Sequence, residues 1–369
     1  MSARREAPSE KWMGMAASLA LNGAGRTHPN PAVGAVVVRN GKVVGMGWHE
    51  GPGTPHAEVV ALREAGRKAE GADLYVTLEP CPTYGRTPPC TDAIISAGVG
   101  RVIAGTSDPN PAVNGGGLSV LKRNGVQVVS DFLECEAVAV DASYHRFYKK
   151  NRPSVTLKWA QSIDGATADA GGGYITGAEA RRLVHEDRFF SDAIVVTSGT
   201  VLRDEPKLTV RLPGMKRKKL VRVVVDRHGL KDLPAGLKKT APAFGEIWVL
   251  RTSRFGGAKP VGEGVKVFDL DVKGDLEGFV PEMLIFLRKK RLISLYVEAV
   301  GEFATALLNS GFVDKLTIHV APFVLGKGSA PVPVPSPLAK RVSLIRAREM
   351  SPGKDRVYEV DLEGKCLRD

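Results

Sequence analysis

Residues Gly53–Gly66 read GTPHAEVVALREAG. Past Pro55 come His56 and, two residues on, Glu58, at the start of an apolar pattern of helical period that Gly66 stops. The pair is open to two readings, a solvated first turn or half of a metal site. The flanking segments place this helix among strands. AVGAVVVRN (Ala32–Asn40) and GKVVGMGWH (Gly41–His49) read as a hairpin turning at Asn40-Gly41. ADLYVTLEP (Ala72–Pro80) reads as a buried strand, CTDAIISAGV (Cys90–Val99) as a short helix and RVIAGT (Arg101–Thr106) as a strand. GLSVLKRNG (Gly117–Gly125) is a helix, and VQVVS (Val126–Ser130) a further strand. Such alternation specifies a central sheet covered by helices.

The pattern then starts again on new material. ASYHRFYKKNRPSVTLKWA (Ala142–Ala160) is polar and basic up to Arg152-Pro153, after which a strand begins at Ser154. DAIVVTSG (Asp192–Gly199), LVRVVVD (Leu220–Asp226), EIWVL (Glu246–Leu250) and SLYVEAVG (Ser294–Gly301) read as buried strands. EFATALLNSG (Glu302–Gly311) is a helix and KLTIHVAPFVLG (Lys315–Gly326) another strand. The prolines at 331, 333, 335 and 337 mark an extended surface connection. The expectation is an α/β protein of two domains, 1–150 and 151–369, as its 369 residues also suggest.

No apolar run reaches the roughly 18 residues that span a membrane. The segment MSARREAPSEKW has no signal-peptide core and reads as a short flexible leader of a cytoplasmic protein. A net charge of +12 favours anionic partners. The run Lys216-Arg217-Lys218-Lys219 reads as a solvated loop, and no stripe of aromatic and basic residues suits stacked bases. Small phosphorylated ligands therefore rank above nucleic acid. Four cysteines in so long a chain do not form a disulfide framework, and Cys135 and Cys366 receive no role.

The feature that bears on His56 and Glu58 is LEPCPTYGRTPPC, Leu78–Cys90. A strand delivers Cys81, and a proline-braced loop returns Cys90 at a helix start. Two thiolates and one imidazole leave a tetrahedral zinc one open position, the catalytic arrangement. Glu58 would stand beside the ion as the base that takes a proton from water and returns it to a leaving amine. Zinc deaminases of nucleobases share the order His-x-Glu, Pro-Cys, Cys. Singly, each residue reads as a cap or core residue; the order and placement make the site.

The eight-residue gap between Cys81 and Cys90, where most such deaminases have two, resembles one family: the riboflavin-biosynthesis pyrimidine deaminase/reductase. Pro29-Asn30-Pro31-Ala32-Val33-Gly34, GWHEGPGTPHAE (Gly47–Glu58) and SDPNPAVNGGG (Ser107–Gly117) carry the same likeness. The resemblance implies a cytidine-deaminase-like α/β/α domain with zinc on His56, Cys81 and Cys90, and Glu58 as proton shuttle. Asn30 and His49 would hold the pyrimidine and Arg86 the substrate phosphate. The family loop often has histidine after Cys-Ser, where this chain has Pro82-Thr83.

VTLKWAQSIDGATAD (Val155–Asp169), YITGAEARRLVHEDR (Tyr174–Arg188), SGTVLRDEPKLTVR (Ser198–Arg211) and VEAVGEFATALL (Val297–Leu308) resemble the family's reductase half. That implies a dihydrofolate-reductase-like α/β domain using NADPH. Ala160, Tyr174, Thr176, Thr200, Asp204, Val300, Gly301 and Glu302 would line the cofactor site. Lys158, Arg188, Leu208, Arg211 and Glu298 would line the substrate site. Three departures stand out: Tyr174 for the usual tryptophan, a short DAGGG loop (Asp169–Gly173), and Glu298-Ala299-Val300-Gly301-Glu302 for Glu-Gly-Gly-Pro. The expected partners are a phosphorylated pyrimidine, NADPH and further copies of the chain in a dimer or higher oligomer, with no nucleic acid and no membrane. The alternatives are an active deaminase with a non-reducing second domain, an RNA-directed zinc deaminase, and a purely structural zinc protein.

Overall fold

The computed structural model describes residues 6–85, 87–168, 173–215, 217–227, 229–252, 263–272, 276–326, 330–331 and 346–362. Arg86, Lys216, residues 169–172, the prolines at 333, 335 and 337, and Cys366 lie outside the described residues. The chain divides into two compact units between Asn151 and Arg152.

In the first unit, α1 (Glu10–Ala20) precedes the hairpin of β1 (Gly34–Arg39) and β2 (Lys42–Trp48). Then follow α2 (Ala57–Ala65), β3 (Asp73–Val76), α3 (Cys90–Ser96), β4 (Arg101–Ala104), α4 (Gly116–Arg123) and β5 (Gln127–Val129), and last α5 (Glu134–Val140) and α6 (Ala142–Lys149). The strand order is β2-β1-β3-β4-β5, with β1 antiparallel to β2 and β3 and the rest parallel. Asn40 and Gly41 take φ of 52° and 68°, the left-handed pair that a two-residue hairpin turn needs.

One face of this sheet buries Ala35, Val37, Leu74 and Val102 against Ala57, Ala61, Ile94 and Leu121 of the helices. The other buries Val36, Tyr75 and Ile103 against Met13 and Ala16 of α1. The result is a helix–sheet–helix layering. Gly47 sets the approach of α2, because a Cβ there would fall 2.4 Å from the Ala57 carbonyl oxygen.

Two stretches differ from their sequence reading. The segment read as a flexible leader is tied down from Glu6, whose carbonyl accepts from Arg101 (2.8 Å). Ser9 N–H donates to the Tyr75 hydroxyl (3.0 Å), and α1 starts at Glu10 because Met13, Ala16 and Ala20 fall on one face. The stretch read as a polar junction forms α6, whose Tyr144, His145 and Phe147 are buried.

The second unit runs β6 (Ser154–Ser162), β7 (Ala166–Ala168), α7 (Ala178–Phe189), β8 (Ala193–Thr197), α8 (Ser198–Asp204) and β9 (Val221–Asp226). It continues through the short α9 (Ala235–Lys238) and α10 (Ala241–Phe244) to β10 (Ile247–Thr252), β11 (Val265–Leu270) and α11 (Leu276–Lys289). Then come β12 (Ser294–Glu298), α12 (Gly301–Asn309), β13 (Lys315–Ala321), β14 (Ala330–Pro331), β15 (Arg346–Met350) and β16 (Arg356–Asp361). Among the described residues nine strands form one sheet, in the order β11-β10-β9-β8-β12-β6-β13-β16-β15. It is parallel from β11 to β13 and antiparallel beyond.

The period of two divides this sheet chemically. Val155, Leu157, Val195, Leu295, Val297 and Leu316 pack under α11 and α12 in a dry layer. On the opposite face Lys158 stands in register with Glu298 and Thr317, and Ala160 with His319. Arg152 reaches the buried Asp314 with both terminal nitrogens (2.8 Å each), and the Val155 N–H donates to the same carboxylate (2.8 Å). No helix among the described residues is long and apolar enough to cross a membrane.

His319 is fully buried and neither ring nitrogen has a hydrogen-bond partner among the described residues. Burial, with Lys158 nearby, pushes its pKa down to about 3. The unfolded chain, with a histidine near 6.5, then binds the extra proton between these values, so stability rises with pH across that window. The contribution is complete above about 6.5 and is lost as pH falls toward about 3. Protection of the β13 amides in native-state hydrogen exchange is expected to weaken by about 2 kcal/mol from pH 7 to pH 5. His319→Leu is expected to remove most of that slope.

Candidate functional site

His56 is the N-cap of α2, Cys90 the first residue of α3, and Cys81 follows the exit of β3. Three separate elements therefore converge on one point. His56 Nδ1 lies 3.0 Å from Cys90 Sγ and 3.5 Å from Cys81 Sγ, and the two sulfurs are 3.4 Å apart. A tetrahedral zinc, with bonds of about 2.3 Å to sulfur and about 2.0 Å to nitrogen, holds its ligand atoms roughly 3.5–3.8 Å apart. The donor set and spacing fit that ion, and it is the one metal-type cluster among the described residues. Hydrogen bonding from Cys90 and from His56 lowers the Cys81 thiol to about 4, toward the thiolate that a metal ligand must be. The other imidazole nitrogen, Nε2, meets Thr87 Oγ1 at 3.3 Å, a contact of the kind that orients a ligating histidine.

Glu58 is buried and outside the metal cluster. Burial, and then the charge of Cys81, push its carboxyl up to about 6. The acid is thus poised both to take and to give a proton. Asn30 Nδ2 lies 3.2 Å from Nε2 of the buried His49, and His49 Nδ1 lies 3.3 Å from the Pro55 carbonyl. Since a carbonyl only accepts, the proton sits on Nδ1, and Nε2 accepts from Asn30. The His49 and His56 rings meet edge-on at 5.1 Å. The structure thus brings Asn30, His49, His56, Glu58, Cys81 and Cys90 together; Arg86 falls outside the described residues.

Sequence reasoning missed the acids that hold this assembly. Glu79, buried two residues before Cys81, accepts from four backbone amides: Asp108 (3.2 Å), Gly115 (2.9 Å), Gly117 (2.9 Å) and Leu118 (3.2 Å). A Cβ at Gly117 would fall 1.8 Å from the Pro80 carbonyl oxygen, so α4 starts directly against the strand exit. Asp108 is buried, accepts from Tyr144 Oη (3.1 Å) and Asn110 N–H (2.8 Å), and is raised to about 6 by burial. Asp108 and three of the Glu79 amides lie in SDPNPAVNGGG, a run that carries the family likeness without showing which acid its amides meet.

In the second unit Arg188 on α7 grips Glu298 with Nε and Nη2 (2.5 and 2.9 Å) and donates to the Thr209 carbonyl (3.0 Å). Lys158 stands beside Glu298 in register. Burial lowers the Lys158 pKa, while Glu298 opposes that shift. Burial also works against the Glu298 charge, but Arg188 and Lys158 outweigh it and hold the carboxyl below its usual range. Arg211 lies against His185, its backbone N–H 3.3 Å from Nδ1. The Leu208 side chain is buried in the apolar layer with Val196 and Val224, and its φ is 49°. Lys158, Arg188 and Glu298 are thus one cluster, with Arg211 and Leu208 at its margin.

Five of the eight cofactor candidates lie toward the carboxyl ends of adjacent parallel strands, where open α/β sheets hold ligands. Ala160 is on β6, Thr200 in the first turn of α8 after β8, and Val300, Gly301 and Glu302 at the start of α12 after β12. No side chain among the described residues caps α12, so the donor groups of its first turn suit a phosphate. This donor set fits a dinucleotide. Thr200 N–H is capped by Thr197 Oγ1 (3.4 Å), and Glu302 pairs with Arg227 at 2.8 Å. Tyr174 is exposed with Arg181 over its ring at 4.4 Å, Thr176 is buried, and Asp204 is an exposed partner of Arg203.

Known proteins share this plan. Residues 7–106 match the cytidine and deoxycytidylate deaminase zinc-binding region, and residues 153–354 match the RibD C-terminal domain. The chain is similar to the riboflavin biosynthesis protein RibD of Aquifex aeolicus, 41% identical over 86% of this chain and 88% of that one. Against RibD of Escherichia coli the identity is 40%, over 86% and 88%. Among solved structures, the diaminohydroxyphosphoribosylaminopyrimidine deaminase/5-amino-6-(5-phosphoribosylamino)uracil reductase of Thermotoga maritima superposes with a TM-score of 0.83 at 32% identity, covering 95% of this chain and 98% of that one. RibD of Acinetobacter baumannii gives 0.82 at 32% identity, with the same coverage.

Replacing Glu79 by Ala leaves four backbone amides, three of them buried, without this acceptor. It is expected to cost about 3 kcal/mol in urea denaturation and to weaken zinc retention against a chelator. An exposed acid away from the site, such as Glu136, changed the same way is the control for both readouts.

Proposed function

The chain belongs to the RibD family of riboflavin-biosynthesis proteins, and from that premise we propose which of its residues carry the two reactions, on which substrates. The deaminase half is assigned to residues 1–150 and the reductase half to 151–369. The substrate of the first is 2,5-diamino-6-(5-phosphoribosylamino)pyrimidin-4-one. The second acts on the resulting 5-amino-6-(5-phosphoribosylamino)uracil and makes its ribosyl group ribityl. The carrying observation is the triangle of His56, Cys81 and Cys90 with Glu58 buried beside it but outside it.

A zinc ion held by those three residues would supply Lewis acidity and an activated water. Glu58 takes the proton from the attacking water and hands it to the departing amine at C2. Asn30 and His49 hold the ring, the amide of Asn30 offering the donor and acceptor that match a pyrimidine edge. Arg86 is assigned to the phosphate.

In the reductase half NADPH, when bound, would supply the hydride for C1 of the opened ribosyl group. Lys158, its pKa lowered by burial, is assigned to the substrate site, where it would give a proton to the ring oxygen as the sugar opens. Arg188 fixes Glu298 for the pyrimidine N–H groups, and Arg211 answers the phosphate. Ala160, Tyr174, Thr176, Thr200, Asp204, Val300, Gly301 and Glu302 are assigned to the cofactor. The charge of Glu302, unexpected beside a phosphate, is answered by Arg227. The reading includes a cytoplasmic enzyme without nucleic-acid or membrane partners, working as a dimer or higher oligomer. Exposed Ile163, Phe323 and Val324 give a second copy an apolar surface to cover.

Glu58→Gln is expected to keep one zinc per chain and to slow ammonia release about 10²–10⁴-fold. Unchanged turnover would sink the assignment of the base. With the diaminopyrimidine alone, the product is the uracil; adding NADPH carries it to the ribityl compound. Absence of NADPH oxidation on synthetic uracil intermediate would remove the reductase assignment.

A further inference from the structure

Asp141 lies beyond the last of the deaminase site motifs in the sequence and belongs to none of them. Its carboxylate is buried at the N-cap of α6 and accepts from Tyr144 N–H (3.1 Å). It also reaches back to the loop before β1. Both carboxylate oxygens lie 3.2 Å from His28 Nε2, and Oδ2 accepts from the Ala32 N–H at 3.1 Å. His28 and Ala32 bracket Pro29-Asn30-Pro31. One carboxylate therefore holds both ends of a three-residue bow whose middle residue is Asn30.

The bow has little freedom of its own, since both prolines fix φ. Asn30 N–H donates to the Thr27 carbonyl (2.9 Å), and its side chain meets His49, whose ring touches that of His56. Asp141 ties both ends of the bow to the start of α6. Burial works against the Asp141 charge, yet His28 and the two amides outweigh it and hold the carboxyl below its usual range.

We propose that Asp141 is a positioning residue for deamination: it clamps His28 and Ala32 so that the Asn30 amide meets the pyrimidine edge in register. It touches neither substrate nor metal, and acts through Asn30. The proposal rests on the reading of Asn30 as a pyrimidine ligand.

The test is a double-mutant cycle in the full-length zinc protein, with the diaminopyrimidine as substrate. Asp141→Ala is expected to raise KM about 10–100-fold, the scale of a displaced positioning group, with zinc content and NADPH-dependent reduction of synthetic uracil intermediate unchanged. Asp141→Asn, which still offers an acceptor to an amide and a donor to a neutral His28, is expected to restore most of the loss. Asn30→Ala is expected to raise KM by itself, and adding Asp141→Ala to it to change nothing further. Should Asp141→Ala fail to fold, His28→Ala keeps the α6 cap and enters the same cycle. A wild-type KM in Asp141→Ala, or effects of the two substitutions that simply multiply, overturns the clamp and leaves Asn30 as a ligand. A wild-type KM in Asn30→Ala overturns the reading of Asn30, and the clamp with it.

Discussion

The carboxylate of Glu79 is the constraint around which the first unit is built. A buried charge is tolerated only when its lone pairs are answered, and here four backbone amides answer it. Those amides belong to the turn after β4 and the first turn of α4, while Glu79 itself leads into Pro80 and Cys81. The exit of β3, the polar turn and the start of α4 thus become one rigid corner. Cys81 takes its place because that corner exists. Cys90 and His56 then need only be helix starts, each carried to the same point by a helix packed on the same face of the sheet.

The second unit solves a different problem. Its sheet has a dry face, where aliphatic side chains lie under α11 and α12, and a face that carries Lys158, Glu298, Thr317 and His319. Alternation along each strand is enough to separate the two. Polar groups can sit in the middle of the fold because α7 covers them with partners of its own. Arg188 neutralises Glu298, and Asp187 accepts from the Tyr296 hydroxyl at 3.2 Å. The scaffold and the cleft are therefore two sides of the same strands.

What could be read from the residues followed their locality. The hairpin at Asn40-Gly41, the helix after Pro55 and the apolar strands are written in neighbours, and the metal motif is written in spacing. The cluster of Lys158, Arg188 and Glu298 was legible through resemblance alone, since nothing local pairs residues a hundred positions apart. Glu79, Asp108 and Asp141 were not legible, because a buried acid is recognised by the donors around it and those come from distant segments. The first helix and α6 were missed for another reason. The first was hidden by the charged residues that precede it, since Glu10–Ala20 itself carries only Glu10 and Lys11, whereas in α6 the buried Tyr144, His145 and Phe147 lie among basic residues that suggested solvent.

The placement of Asp141 also decides where this polypeptide can be divided. The last strand of the first sheet ends at Val129, and a division there would seem to leave a complete sheet. Yet the partners of His28 and Ala32 lie beyond it, at the start of α6. A freestanding deaminase half must therefore carry a helix that the sheet itself does not require. A division between Lys149 and Ser154, by contrast, keeps Asp141, His28 and Ala32 in one piece.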